Sequence, residues 1–408
     1  MSGTRQCEAS QSSDVATTPA PERTVSVQER QLEMSLKPGF FLADGGREAE
    51  VYGRPAIQKN DLAALTQLSQ HSNTVFQPIL DDRALIQLAQ HVINNDHDKV
   101  NEMLNIINPK LLTKKLNSAN REHKSTILWP ARKSGSRRGD AGKVINKMTI
   151  LQVALCDGNT ELFEMIKSHF SKLKNGQEDF ENQCQEICPE GIEKYLATQT
   201  PYDFSELIDA FEKSTDQEIA DALNKVDNVS KINQAIKKFN AEFEALSYSE
   251  KVFNPQHLAK AYEIYAKKYA EWDGDDNRQD LLWQRLVGKA QDLSPMRWKQ
   301  AVGQLWALTE KNPPDKLKPV KTIYNYITGK EIALLDLVED HSCSLSSDFA
   351  IYGWGGRWGS VSRRGPLLLS LAMLRGVSRF FKAYVEHTHR TWKSLCSASR
   401  IALPRAGV

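Results

Sequence analysis

Apolar residues recur at helical spacing along most of the chain. The first clear run begins at Asn60, where Leu62, Leu65 and Leu68 are three positions apart and lie on one side of a helix. Residues 1–55 have no such period and are rich in Ser, Thr, Pro, Gly and Glu, so they are predicted to be a disordered arm. The pattern after this arm predicts an all-α fold.

Residues 84–107 are predicted to form two helices separated by a polar break. The break begins at Asn94, Asp96 or Asp98 can cap the second helix, and Pro109 ends it. Each helix has one apolar face. The two faces consist of Ala84, Leu85, Leu88, Ala89 and Val92, and of Val100, Met103, Leu104 and Ile107.

The same arrangement returns in the stretch 149–166, which reads TILQVALCDGNTELFEMI. Placing Asp96 over Gly158 gives an offset of 62 residues between the two copies. A third, looser copy lies within residues 205–223, where two apolar segments flank a polar break. Because the offset is too long for one simple repeat period, the copies are predicted to form a short, irregular helical stack.

The stretch 149–166 resembles an ankyrin repeat, which reads Thr-Pro-Leu-His-x-Ala, then a Gly turn, then x-Glu-Val-Val-x-Leu-Leu. Ile150 stands where the family has Pro, and Gln152 stands where it has His. Ala154 is small enough for two antiparallel helices to approach, and Gly158 supplies the turn between them. The matching positions are Thr149, Leu151, Ala154, Gly158, Glu161, Leu162, Met165 and Ile166.

The wider pattern is similar to a group of ankyrin-type proteins of intracellular bacteria, some of which are regarded as secreted effectors. It includes the segments INPKLL, PEGIEKY, FNPQHLAKAYEIY and DLLWQRLVG. The resemblance implies a protein-interaction module located in the bacterial cytoplasm or secreted into a host cell. It does not imply a particular chemical activity.

Residues 117–147 interrupt the stack and are predicted to be a protruding, β-hairpin-like finger. Their centre contains three glycines flanked by β-branched residues, a pattern that favours a hairpin. Trp and Arg are enriched among the residues that dominate binding energy, which makes the finger the candidate binding site. An alternative role for Trp129 is to anchor the finger on its own repeat. The candidate contact residues are Trp129, Arg132, Lys133, Arg137 and Arg138.

These features define four predicted regions: the arm, an ankyrin-like region at 56–190 that includes the finger, a helical bundle at 191–320, and a basic, partly disordered tail at 321–408. The bundle contains four tryptophans at helical spacing, which indicates bulky core packing more simply than a ligand cage. They are Trp272, Trp283, Trp298 and Trp306. The glycine-rich segment 352–360 lacks a clear strand before it and a helix after it, so it is predicted to be a linker rather than a phosphate loop.

Charge is distributed unevenly along the chain. Residues 351–408 contain ten Lys or Arg and one acid, a net charge of +9, whereas residues 1–350 carry −7. Such a basic tail suggests contact with an anionic membrane or nucleic acid, and the stretch LLLSLAMLRGVSRFFKAYV can form an amphipathic basic helix. The alternative is a helix that packs on the body with its arginines in solvent.

Signals for export, membrane insertion or disulfide bonding are not found. The N-terminus has no apolar segment of a Sec-type signal, and the longest apolar run is far shorter than the ~20 residues of a membrane span. The six cysteines are sparse and without framework spacing, which predicts free thiols in a reducing compartment.

Metal and catalytic motifs are also not found. The acidic cluster at Asp273 lacks the Gly and Glu of a calcium loop, so it is predicted to be a solvated loop. Cys184 and Cys188 are one helical turn apart without a second pair at zinc spacing, and His387 and His389 are two apart in a basic tail.

We therefore expect no metal, no small-molecule cofactor and no catalytic residue, and predict a protein-binding module rather than an enzyme. Two alternatives remain: an effector enzyme with its site in the helical bundle, and membrane or nucleic-acid association through the basic tail. A concave pocket with paired titratable residues of perturbed pKa would favour the enzyme.

Overall fold

The chain divides into two compact units, Met1–Leu80 and Asp81–Val408, and nearly all described residues belong to the second. The predicted arm and the helix predicted to begin at Asn60 lie outside the described residues. The computed structural model describes residues 73–116, 128–129, 143–144, 147–303, 322–325, 330–333, 350–354, 357–362 and 371–397.

The described part of the chain is mostly helical, which confirms the predicted all-α class. A π-helix, Trp283–Gly288, joins α11 to α12, and 3-10 turns lie at Pro109–Thr113 and Phe170–Lys172. The first seven helices are α1 (Asn73–Ile93), α2 (His97–Ile106), α3 (Ile150–Cys156), α4 (Thr160–His169), α5 (Gly176–Ile187), α6 (Ile192–Thr198) and α7 (Ser205–Lys213). The others are α8 (Asp216–Leu223), α9 (Lys231–Ser249), α10 (Gln256–Glu271), α11 (Asp276–Leu282), α12 (Lys289–Asp292), α13 (Met296–Gly303) and α14 (Leu371–Ser397).

Each of the first two helical pairs turns through one residue in the left-handed region. These residues are Asn95 between α1 and α2, with φ 55°, and Gly158 between α3 and α4, with φ 69°. Asn and Gly tolerate this conformation better than other residues, so Asn95 can take the place of a turn glycine. The equivalent positions are 63 residues apart, so the predicted offset of 62, which placed Asp96 over Gly158, is wrong by one.

The helices bury two hydrophobic clusters. The first lies among α1 to α6 and includes Phe163, Phe180 and Trp392. The second lies among α7 to α13 and includes Trp283 and Trp298, both fully buried. This placement confirms that these two tryptophans pack in a core.

The other two tryptophans differ from this pair. Trp272 is half-buried at the edge of the second cluster, where it stacks on Phe211 at 6.1 Å between ring centroids. Trp306 lies outside the described residues.

The predicted linker at 352–360 is wrong, because residues 352–354 and 357–360 belong to a small sheet. The strands are β3 (Thr322–Asn325), β4 (Lys330–Ala333), β5 (Ala350–Trp354) and β6 (Arg357–Ser362), in the order β4-β3-β6-β5 with β3 and β6 parallel. Gln291 binds the backbone of Ile351 twice: it accepts from the N–H at 2.6 Å and donates to the carbonyl oxygen at 2.8 Å. The buried side chain of Gln291 thus holds β5 in place. The glycine content of this segment had suggested a linker instead.

The basic tail contains the 27-residue helix α14. Phe381, Tyr384 and Trp392 are buried against the body, whereas Arg390 is exposed and Lys382 pairs with Glu263 at 2.9 Å. Of the two arrangements expected for this helix, membrane contact or packing on the body, the structure has the second, with basic side chains in solvent. None of the described helices combines the length and apolarity needed to cross a membrane.

Candidate binding site at the finger

Two short strands pair antiparallel within the predicted finger. β1 (Leu128–Trp129) pairs with β2 (Lys143–Val144), so that Trp129 lies opposite Lys143. The connecting residues 130–142 lie outside the described residues and contain the other four candidate contacts, Arg132, Lys133, Arg137 and Arg138.

Two backbone hydrogen bonds close the root of the finger. The N–H of Leu116 donates to the carbonyl oxygen of Met148 at 2.8 Å, and the N–H of Lys147 donates to the carbonyl oxygen of Leu116 at 2.9 Å. Lys147 has φ 65°, a left-handed conformation that costs a residue with a Cβ roughly 1 kcal/mol. The chain therefore leaves and re-enters the helical stack at one closed point.

A buried polar network surrounds this root. Thr149 and Gln152 form a capping box at the start of α3, with the Thr149 N–H donating to Gln152 Oε1 at 3.0 Å. The Thr149 hydroxyl donates to Gln183 Oε1 at 2.5 Å, and Gln183 Nε2 donates to the carbonyl oxygen of Leu112 at 3.2 Å. The three polar side chains are 1%, 1% and 7% exposed, so each depends on these partners.

Gln152 also connects the buried network to a surface ion pair. Its Nε2 donates to Glu186 Oε2 at 2.8 Å, and Glu186 pairs with Lys115, the residue just before Leu116. The hydrogen bond from Lys115, followed by that from Gln152, holds the pKa of Glu186 below its ordinary value. Gln152 thus helps to fix both sides of the finger root.

A second buried network joins the turns of the two helical pairs to α13. Asn159 Nδ2 donates to Asn95 Oδ1 at 2.7 Å, and Asn95 Nδ2 donates to Gln300 Oε1 at 2.5 Å. His97 Nε2 lies 2.9 Å from the same Asn95 oxygen and acts as a donor to it. The turn residues of the stack are therefore covered by a helix from the second cluster.

Arg297 on α13 completes this contact. Its guanidinium donates to the carbonyl oxygen of Gly158 at 2.8 Å and to Glu161 Oε1 at 2.9 Å. Burial opposes the positive charge, but Tyr384 and Glu161 outweigh it, and the pKa of Arg297 is raised. The apolar pattern of the chain does not predict this role, because the partners of Arg297, Gly158 and Glu161, are 139 and 136 positions away.

A pocket of 290 Å³ lies beside α5 and is lined by Leu155, Phe180, Cys184, Cys188 and Ile192 among others. Its size is at the lower end of the roughly 300–1,000 Å³ typical of small-molecule sites. Among its described lining residues, the single carboxyl group is that of Glu181. It therefore does not supply the paired acid and base that would favour the enzyme hypothesis.

Buried His257 and half-buried Glu250 have the composition of an acid–base dyad, but the histidine lacks a free ring nitrogen. His257 Nδ1 accepts from the backbone N–H of Tyr202 at 2.9 Å, so Nε2 carries the proton and donates to Glu250 at 3.0 Å. Glu250 also accepts from Asn254 Nδ2 at 3.1 Å. The pair ties the segment before α10 to the segment before α7.

No group of three or more His, Cys, Asp or Glu within the described residues could hold a metal ion, and this covers Cys184 with Cys188 and His387 with His389. The acidic cluster at Asp273 leads directly into α11. Asp275 accepts a hydrogen bond from the Arg278 backbone N–H at 3.0 Å and so caps that helix.

Comparisons of the chain with family models, with curated proteins and with solved structures find no match.

Proposed function

We propose that the chain is a protein-interaction module of the ankyrin-repeat type whose finger, residues 117–147, contacts an acidic surface on a protein partner. The observation that carries this proposal is the β1–β2 hairpin closed at its root by Leu116, Lys147 and Met148. A root that is already ordered by folding lowers the entropy lost when the finger binds.

The charge of the finger supports an acidic partner. Residues 117–147 contain eight Lys or Arg and two acids, a net charge of +6, whereas the rest of residues 1–350 carries −13. A basic projection on an acidic body steers acidic surfaces toward the finger. Arginine adds specificity, because its planar guanidinium can bind a carboxylate through two hydrogen bonds.

The resemblance to ankyrin-type proteins of intracellular bacteria suggests that the partner is a host protein and that the chain acts as a secreted effector. The two helical pairs, with Ala154 fully buried between helices and left-handed turns at Asn95 and Gly158, support the ankyrin-type assignment. Membrane contact through α14 is less favoured, since Phe381 and Trp392 are buried against the body.

The experiment that tests this function is affinity capture from a nuclease-treated eukaryotic lysate with three versions of the full chain. One is unchanged, one has residues 117–146 replaced by a short Gly-Ser turn, and one carries Arg132→Glu, Lys133→Glu, Arg137→Glu and Arg138→Glu. A matched control carries the same charge change at four exposed lysines of the body, Lys174, Lys194, Lys231 and Lys267.

We expect one host protein to be captured by the unchanged chain and by the control but lost with both finger variants. Its binding should also weaken as salt rises, because the contact is between opposite charges. Equal capture by all versions would contradict a role for the finger. Capture that disappears on nuclease treatment would indicate a nucleic-acid partner instead.

A further inference from the structure

Two thiols lie on one face of α5 at its C-terminal end. Cys184 and Cys188 are four residues apart and both line the pocket beside α5, so their side chains face the same open space. Both are reduced in the structure. Cys184 is half-buried, whereas Cys188 is 4% exposed. A small reagent therefore reaches Cys184 more easily than Cys188.

The spacing of the two cysteines is compatible with a disulfide bond. Residues four apart in an α-helix have Cα atoms about 6 Å apart, within the roughly 4.4–6.8 Å that a disulfide allows. Their Cβ atoms are about 5–6 Å apart, whereas a disulfide needs about 3.5–4.5 Å. One of the two residues must therefore move by about 1–2 Å for the bond to form.

Cys188 is the residue that can make this movement. It is the C-cap of α5, with φ −122° and ψ 78°, outside the helical region. One backbone hydrogen bond, from its N–H to the carbonyl oxygen of Cys184 at 2.9 Å, joins it to the last turn of the helix. The chain then turns through Pro189 to Gly191, which has φ 90°. Closing the distance between the two Cβ atoms thus needs a local change at the end of α5.

We propose that Cys184 and Cys188 are a redox-active pair that reacts with a low-molecular-weight disulfide such as oxidised glutathione and closes to a reversible disulfide at the end of α5. The Cys184 thiolate attacks one sulfur of the reagent, forms a mixed disulfide and releases one glutathione thiolate, which takes up a proton. Cys188 then gives up its proton and attacks the Cys184 sulfur, which releases the second glutathione as a thiol. The two protein thiols lose two electrons, and the disulfide of the reagent gains them. This reaction does not depend on the finger's partner.

The first test is peptide mass spectrometry of the full chain. Residues 175–194 contain both cysteines and no Lys or Arg before Lys194, so trypsin releases the pair in one peptide. The folded protein is incubated with increasing oxidised glutathione, quenched with acid, alkylated in denaturant and digested.

We expect this peptide to escape alkylation and to lose two hydrogen atoms, in a fraction that rises with oxidised glutathione and falls again with dithiothreitol. Cys156, buried in α3, is the internal control and should stay reduced. A peptide that stays reduced, or that carries two separate glutathione adducts, would overturn the proposal. Reaction of Cys156 at the same rate would place the chemistry in the unfolded chain and would also overturn it.

A second test uses variants to separate the two thiols. Cys188→Ser should keep one glutathione on Cys184, whereas Cys184→Ser should react at least about tenfold more slowly, because its remaining thiol is buried. Equal rates for these two variants would overturn the assigned order of attack.

The matched control moves the second thiol off the shared face. It combines Cys188→Ser with Asn182→Cys, at an exposed position two residues from Cys184. Residues two apart in a helix do not face each other, so we expect glutathione adducts but no internal disulfide, with circular dichroism unchanged. An internal disulfide that forms as readily in this control as in the unchanged chain would overturn the proposal.

Discussion

Arg297 donates a hydrogen bond to the carbonyl oxygen of Gly158 at 2.8 Å, although 139 positions separate the two residues. Gly158 lies at the turn between α3 and α4, and Arg297 lies on α13, a helix of the second cluster. This contact and the hydrogen bond between Asn95 and Gln300 are buried, and both connect helices of the first hydrophobic cluster to α13 of the second.

Replacing Arg297 with Leu should lower the free energy of unfolding by about 3 kcal/mol or more. The loss leaves the buried Gly158 carbonyl without this donor and removes the ion pair with Glu161. Urea unfolding of the two proteins measures the difference. Arg390→Leu, at an exposed position on α14, is the control and should change little. Equal effects of the two changes would mean that the bridge does not contribute to stability.

Asn95→Ala should destabilise the protein more than Asn95→Gly. Both changes remove the side-chain bonds to Asn159 and Gln300, but only Ala also strains the left-handed backbone, at a cost of about 1–2 kcal/mol. The difference between their urea midpoints isolates the backbone contribution. A glycine variant no more stable than the alanine variant would contradict the assigned turn geometry.

Stability should fall as the pH drops below about 6.5. Burial lowers the pKa of His97, His169 and His389 from an ordinary value of 6.5, with Glu161 partly opposing the shift at His97. Below that pH the unfolded chain binds more protons than the folded chain, so acid favours unfolding. His97→Gln, which keeps a donor for Asn95, should reduce the loss between pH 7 and 5. An unchanged pH profile would argue against burial of His97.

Replacing residues 117–146 with a short Gly-Ser turn should leave the body folded and slightly more stable. The bonds between Leu116 and residues 147–148 remain, and each halving of a loop's length saves about 0.6 kcal/mol of closure entropy. Thermal unfolding followed by circular dichroism checks this. A marked loss of stability would support the alternative in which Trp129 anchors the finger on its repeat.

Trp392→Ala should cost about 3–5 kcal/mol, as expected for a large buried aromatic residue. Its ring lies edge-on to Phe163 at 4.7 Å between centroids and is 1% exposed. The measurement is the urea midpoint compared with that of Lys393→Ala, its exposed neighbour. If both variants unfolded at the unchanged midpoint, α14 would not be part of the folded core.

The features that could be predicted from the sequence are those with local signals. The helices around Gly158 follow from apolar period, a capping threonine and a turn glycine. The hairpin follows from glycines between β-branched segments. The buried roles of Gln183 and Arg297 could not be predicted, because their partners, Leu112 and Gly158, are distant in sequence.

The sheet was missed for a related reason. β3 pairs in parallel with β6, so the pairing depends on residues far apart in the chain, and β5 is ordered by Gln291 of a helix. Short strands with glycine between aromatic residues look like a linker when only neighbours are considered. The sequence of α14 was ambiguous in a similar way. Its basic, amphipathic pattern fits a helix on a membrane or a helix packed on the body, and the pattern alone does not say which surface covers the apolar face.

α14 contributes Trp392 to the first hydrophobic cluster and Phe381 and Tyr384 to the second. During synthesis on the ribosome the other helices are made first, so both clusters lack part of their cover until α14 emerges. Before that moment Phe163 and Trp298 lack the aromatic partners that this helix provides, Trp392 and Tyr384. The maturation of both halves of the body therefore depends on one late helix.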